Sequence, residues 1–178
     1  MRKIQCLLFA VSFFYFVGFC QTPAARKLDC AAVQFWQSQL ANGFKGIQQK
    51  RVDETEITSN RKINGFEECS YRMTESSGYT YVDGRKVFMD KNAALALYRK
   101  LKSQIALCLT AQRYKAYPEE KEDDAQFQVF VKNYGKKGGY YQIRVTMQPA
   151  VKYENDKEMP NGFEVLLVME LRKEGAAG

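Results

Sequence analysis

The sequence predicts an α+β domain in which helices pack on an antiparallel sheet, in the order helix, three strands, helix, three strands. Two segments repeat apolar residues at helical spacing, and each follows an aspartate that can cap a helix. Between and after these segments, short runs rich in apolar and aromatic residues are separated by glycine-containing turns, which is typical of antiparallel strands. This order of elements indicates an α+β domain with helices packed on an antiparallel sheet.

The first predicted helix runs from Cys30 to about Ala41. Asp29 precedes it and can accept hydrogen bonds from the free amide groups of its first turn. Asn42-Gly43 follows it, and glycine accepts the left-handed conformation that ends a helix. The apolar stripe consists of Val33, Phe35 or Trp36, and Leu40. We therefore expect Trp36 to anchor the core.

Asp90 is expected to cap the second helix, which runs from Lys91 to about Gln112. Its apolar residues recur at the spacing of a buried stripe. These residues are Ala94, Tyr98, Leu101, Ile105 and Cys108. Cys108 is therefore expected to point to the core.

Residues 52–88 are predicted to form three short antiparallel strands. Asn64-Gly65 is the preferred two-residue hairpin turn. It would pair Lys62 with Glu67 and Arg61 with Glu68. The next turn, at 75–78, would pair Met73 with Tyr79 and Tyr71 with Tyr81. One face of these strands would then carry Cys69, Tyr71, Met73, Tyr79 and Tyr81.

The C-terminal third is predicted to contain three further strands, after a solvated polar loop over 114–125. Strands 127–134 and 140–147 flank the glycine-rich segment 135–139. A hairpin centred there pairs Val131 with Ile143, Val129 with Val145 and Phe127 with Met147. After a loop over 154–162, the strand 163–171 carries apolar residues on both faces, which is typical of a central strand.

Residues 1–20 are predicted to be a secretory signal peptide. A basic start precedes an apolar run from Ile4 to Cys20 that is short for a bilayer span, and polar residues follow it. Cleavage after Cys20 would leave a single domain over 21–172 and a flexible tail over 173–178. The alternatives are cleavage after Ala25, a lipid-modified Cys20 in an envelope protein, or an uncleaved anchor. The expected location is secreted or periplasmic.

Three cysteines remain after such a cleavage, namely Cys30, Cys69 and Cys108. An oxidising compartment allows three different single disulfides among them. Cys69 and Cys108 are both expected on the buried side of neighbouring elements. We therefore predict a Cys69–Cys108 disulfide, with Cys30 unpaired.

Composition excludes several chemistries. The chain has no histidine, which rules out Ser-His-Asp and Cys-His nucleophile systems and the usual histidine-bearing zinc sites. The acidic run at 119–124 lacks the spacing and the glycine of a calcium loop. We expect no metal, no cofactor and no enzymatic activity. The alternative is a small exported enzyme that uses paired carboxylates alone.

Charge bears on the choice of partner. The formal net charge is +7, and it falls to +5 when Arg2 and Lys3 are removed with the signal peptide. The remaining excess is spread along the chain, with no dense basic arm, so a nucleic-acid partner is not expected.

The best candidate site is a basic, aromatic face of the C-terminal hairpin. It consists of Lys132, Tyr134, Lys136, Lys137, Tyr140 and Arg144. The predicted register places these side chains opposite the buried valines, where cations and rings could contact an acidic protein or an extracellular polymer. A solvated sheet face is the plain alternative. The sequence therefore favours a non-catalytic, exported binding protein.

Overall fold

The structure is a computed structural model that describes residues 28–51, 56–59, 61–74, 78–134, 139–154 and 156–173. The predicted signal peptide and tail residues 174–178 lie outside these ranges. The elements are α1 (Cys30–Ala41), β1 (Lys50–Arg51), β2 (Glu56–Thr58), β3 (Glu68–Thr74), β4 (Tyr79–Phe88), α2 (Lys91–Thr110), β5 (Lys115–Ala116), β6 (Glu120–Glu122), β7 (Ala125–Tyr134), β8 (Gly139–Glu154) and β9 (Lys157–Arg172). The α+β class is confirmed.

Both helices form where the sequence places them. The Asp29 carboxylate accepts a hydrogen bond from the Ala32 amide at 2.8 Å, and the Asp90 carboxylate accepts from two amides of the first turn of α2 at 3.1 Å. Gly43 follows α1 with φ +66°. Trp36 is buried, as is the whole predicted stripe of α2. Local capping and apolar spacing were sufficient to define these elements.

The described strands form one antiparallel sheet in the order β1-β2-β3-β4-β9-β8-β7-β5, with β6 also pairing with β7. Strand β9 is central, between β4 and β8, as its apolar pattern predicts. In the part of the chain that the structure describes, four strands precede α2 and five follow it, where three and three were expected. The additional strands are the short β1, β5 and β6, and the last two lie in the segment expected to be a loop.

The core lies between the helices and one face of the sheet. The side chains of β9 that point to this face are Val165, Leu167, Met169 and Leu171, all essentially inaccessible to solvent. They belong to the same cluster as Trp36 of α1 and Tyr98 of α2. Among the described residues, both helices pack on this face, which we call the helix face. The opposite face is called the open face.

The predicted register of the C-terminal hairpin is wrong by one residue. Val131 pairs with Gln142, and Val129 pairs with Arg144. Tyr134 pairs with Gly139, so the connecting loop has one residue fewer than expected. This register places Phe130 opposite Ile143 on the helix face, where both are buried, and moves the two valines to the open face.

The register predicted for β3 and β4 is also wrong by one residue. Tyr71 pairs with Val82 and Met73 with Thr80, on the helix face. Tyr79 and Tyr81 consequently lie on the open face.

The Asn64-Gly65 turn forms, with Gly65 at φ +92° and the Phe66 amide donating to the Ile63 carbonyl at 3.1 Å. Residues 61–63, directly before it, form no strand, and β3 pairs with β2 instead. The Lys62 ammonium donates to the Glu67 carbonyl at 2.5 Å, so these two residues do meet across the turn.

The loop expected over 154–162 is largely β structure. Strands β8 and β9 continue their pairing as far as Glu154 and Lys157. The pairing is interrupted by a bulge near Pro149, where Gly162 has φ +79°. A Cβ atom on Gly162 would lie 2.2 Å from the Phe88 carbonyl oxygen, so only glycine fits where β9 passes the end of β4.

The predicted Cys69–Cys108 disulfide is wrong. The bridge joins Cys30, the first residue of α1, to Cys108 in the last turn of α2, with 5.1 Å between their Cα atoms. Cys69 does face the helices, as expected, but its half-buried thiol is free and accepts a hydrogen bond from the Ile63 amide at 3.2 Å. Burial raises the pKa of this thiol.

Removing the Cys30–Cys108 bridge should strongly destabilise the protein. It closes a loop between residues 78 positions apart, for which the loop-entropy relation gives about 4.5 kcal/mol. Cys30→Ser with Cys108→Ser should lower the melting temperature accordingly, whereas Cys69→Ser should have a much smaller effect. Unreduced peptide mapping should recover Cys30 linked to Cys108. Recovery of Cys69 in a crosslinked peptide would contradict the assignment.

Gly162→Ala should destabilise more than Gly65→Ala. Both glycines have positive φ, but a Cβ atom at Gly65 would meet nothing within 4 Å, whereas at Gly162 it would overlap the Phe88 backbone. We expect a loss of about 1 kcal/mol at Gly65 and more than about 2 kcal/mol at Gly162. Urea denaturation of the two variants measures the difference, and equal losses would show that the bulge relaxes without cost.

Candidate functional site

The four described residues of the predicted basic face lie on two different faces of the sheet. Lys132 and Tyr134 lie on the helix face, because they alternate with Val131 and share the side of Phe130. Tyr140 and Arg144 lie on the open face. Lys136 and Lys137 lie outside the described residues. The one-residue error in register is the reason that the predicted grouping does not form.

The pair on the helix face takes part in packing. The Tyr134 ring lies 5.1 Å from that of Tyr141 in an edge-to-face arrangement, and the Lys132 ammonium lies 5.7 Å from the Tyr114 ring centre. The Tyr114 hydroxyl accepts a hydrogen bond from the Gln37 amide at 2.6 Å, and burial raises its pKa. These side chains together cover the end of the core beside α1.

The open face combines aliphatic side chains with cations and tyrosines. In the row through Arg144, Val129 of β7 lies on one side and Val168 of β9 on the other. The next row contains Tyr81, Glu170, Gln142 and Val131, and the row after it contains Tyr79, Arg172, Tyr140 and Asn133. The valines are half-buried although no described helix covers them, whereas the Arg144 side chain is exposed.

A shallow groove of about 420 Å³ crosses this face near the β7 edge. It is lined by Tyr117, Glu120, Val129, Val131, Tyr140 and Gln142. Tyr117 is held at the edge because its amide donates to the Val129 carbonyl at 2.9 Å. The Lys115 ammonium lies 4.8 Å from the centre of the Tyr117 ring, which places a cation at the rim. The volume falls in the range of ligand-binding sites.

The most buried carboxylates of the open face already have partners. Glu164 accepts from Arg85 at 2.6 Å and from the Gln148 amide at 2.7 Å. Glu170 accepts from the Tyr79 hydroxyl at 2.9 Å, and burial, together with this carboxylate, raises the pKa of Tyr79. Glu164 and Glu170 are six residues apart on one strand, or about 20 Å, which is too far for a catalytic carboxylate pair.

The other cations of the open face have few hydrogen-bond and ion-pair partners within the described residues. Arg144 has no ion pair or hydrogen bond within the described part of the chain. Interaction with the neighbouring Tyr140 raises the pKa of the exposed Arg172 guanidinium. Arg72 lies 5.9 Å from the Tyr81 ring centre. The arrangement can therefore receive an anionic group beside an apolar surface.

No family model matches the chain, and neither the curated proteins nor the solved structures searched gave a match. The described residues contain no cluster of acidic or cysteine side chains that could hold a metal ion. Over the same ranges, no helix is long and apolar enough to cross a bilayer. The geometry of the open face is therefore the main guide to the function of this chain.

Sequence reasoning missed most of this surface. Tyr79 and Tyr81 were assigned to the buried side, and Val129 and Val131 to the core. The available signal was that β7 carries apolar residues at consecutive positions, from Val129 to Val131, so that either register buries some of them. Two of the six predicted residues, Tyr140 and Arg144, do belong to the open face.

Replacing Asp83 should stabilise the protein near neutral pH. Burial raises the pKa of this carboxyl, and the nearby Arg72 lowers it only in part. Folding therefore favours the protonated form, so stability is highest below the unfolded pKa of about 3.9 and decreases as the pH rises through the folded pKa. Asp83→Asn should raise the melting temperature at pH 7 and have little effect at pH 3. A lower melting temperature at pH 7 would contradict the raised pKa.

Proposed function

We propose that this chain is an exported, non-catalytic binding protein that docks an acidic segment of a partner protein on its open face. The observation that carries the proposal is the exposed, unpaired Arg144, which lies between Val129 and Val168 in one row of the sheet. Half-buried aliphatic side chains beside a free guanidinium suit a ligand that has both apolar and anionic groups.

The rim of the open face supports the choice of an acidic ligand. Lys115 pairs with Val131 and Arg172 pairs with Tyr140, so both cations lie beside the groove on the open face. The carboxylates Glu164 and Glu170 are engaged by Arg85 and Tyr79, whereas Glu120 is the one acid among the groove-lining residues. An acidic peptide would gain contacts with cations while its apolar side chains covered the valines.

Export is supported by two independent features. The first twenty residues have the pattern of a signal peptide. The Cys30–Cys108 disulfide is a bond that persists in oxidising compartments outside the cytosol. A secreted or periplasmic binding protein is consistent with both, as is a lipid-anchored envelope protein if Cys20 is modified.

Arg144→Glu should weaken the binding of an acidic peptide by about tenfold or more, because it replaces an attractive charge with a repulsive one. The probe is a synthetic peptide rich in Glu and Asp that also contains Leu and Tyr, and its binding is followed by NMR titration. The comparison is the same peptide with Gln for Glu and Asn for Asp, which is neutral. Affinity should fall as salt rises. The matched control is Arg99→Glu, which changes charge equally on the exposed side of α2.

Signals from Tyr117, Tyr140 and Gln142 should shift on titration of the folded protein. If the acidic peptide binds the Arg144→Glu and Arg99→Glu variants equally well, or shifts only signals of the helix side, the open face is not the binding site.

A further inference from the structure

A second groove lies on the helix side of the molecule, between α2, the end of β4 and the Asn64-Gly65 turn, and its volume is about 360 Å³. Its apolar surface comes from Leu28, Phe88, Leu97 and Leu101. Leu28 and Leu101 are core residues with 3% of their surface exposed, and the other two pack against the core. The groove therefore opens directly onto the hydrophobic core.

Two cations line this groove. Lys86 lies 5.6 Å from the centre of the Phe88 ring and forms an ion pair at 3.5 Å with the exposed Glu67. Lys100 has no ion pair or hydrogen bond within the described part of the chain. No carboxylate is among the groove-lining residues. An apolar surface with positive charge at its edge is complementary to a molecule with an apolar chain and one negative end.

We propose that this groove binds a single-chain aliphatic carboxylate of medium length, with its tail against Leu97 and Leu101 and its carboxylate at Lys100. The volume corresponds to about a dozen units of the size of a water molecule, at roughly 30 Å³ each. A chain of about ten carbons matches that space, whereas a two-chain phospholipid exceeds it. This site lies on the opposite side of the sheet from the open face, and it does not depend on the function proposed there.

The charge pattern disfavours the protein's own preceding segment as the occupant. Arg26 and Lys27 immediately precede Leu28 in the sequence. They have the same sign as Lys86 and Lys100, so placing them in the groove would bring like charges together.

Isothermal titration of the mature protein with hexanoate, octanoate and decanoate tests the proposal. Affinity should rise by roughly fifteenfold for each two added carbons, since burial of each methylene contributes about a factor of four. The neutral 1-decanol should bind at least several-fold more weakly than decanoate. Affinity that is independent of chain length, or equal for the acid and the alcohol, would overturn the assignment.

Lys100→Glu should weaken decanoate binding by about tenfold or more, while the adjacent Arg99→Glu should leave it unchanged. Both side chains are exposed on α2, both substitutions change the charge by the same amount, and only Lys100 lines the groove. The melting temperature of each variant establishes that it is folded. Equal affinity of the two variants for decanoate would place the site elsewhere.

Two further experiments distinguish decanoate from other possible occupants of the groove. Binding of the protein to phosphatidylcholine–phosphatidylglycerol vesicles, reduced by Lys100→Glu and without binding of free decanoate, would overturn the proposal in favour of a membrane surface. Decanoate binding that occurs only after deletion of residues 21–27 would assign the groove to that segment instead. Equal decanoate affinity with and without residues 21–27 is the result we expect.

Discussion

Strand β9 pairs with β4 along one edge and with β8 along the other, and this double pairing holds the two halves of the chain in one sheet. Its alternate residues supply the centre of the core beneath both helices. Its remaining residues, from Glu164 to Glu170, form the middle of the open face. Because side chains alternate strictly along a strand, the positions of both surfaces are fixed by the same pairing.

The local elements could be read from the sequence because their signals are local. Asp29 and Asp90 cap their helices through residues two or three positions away, and the buried stripe of α2 follows from helical spacing alone. The registers could not be read in the same way. Apolar side chains on both faces of β7 leave the choice between Val129 and Phe130 to the length of the loop and to the helices above the sheet.

The disulfide and the candidate sites depended on tertiary geometry. Sequence patterns placed Cys69 and Cys108 on the same side of the sheet correctly, but the path of α1 brings Cys30 to the end of α2. The groove beside Lys100 gathers residues from four separate stretches of the chain. Of the four described residues of the predicted binding face, Tyr140 and Arg144 lie on the open face, and alternation separates them from Lys132 and Tyr134.

The central position of β9 has a consequence for the order in which the protein can fold. During synthesis from the N-terminus, β4 and β8 are made before β9, the strand that must lie between them. Until residues 157–172 arrive, neither half of the sheet has its central partner, and the core side chains of both halves remain open to water. Such a long-range requirement delays stable folding until nearly the whole domain is available. A chain of this topology therefore acquires its complete tertiary structure only after residues 157–172 have been made.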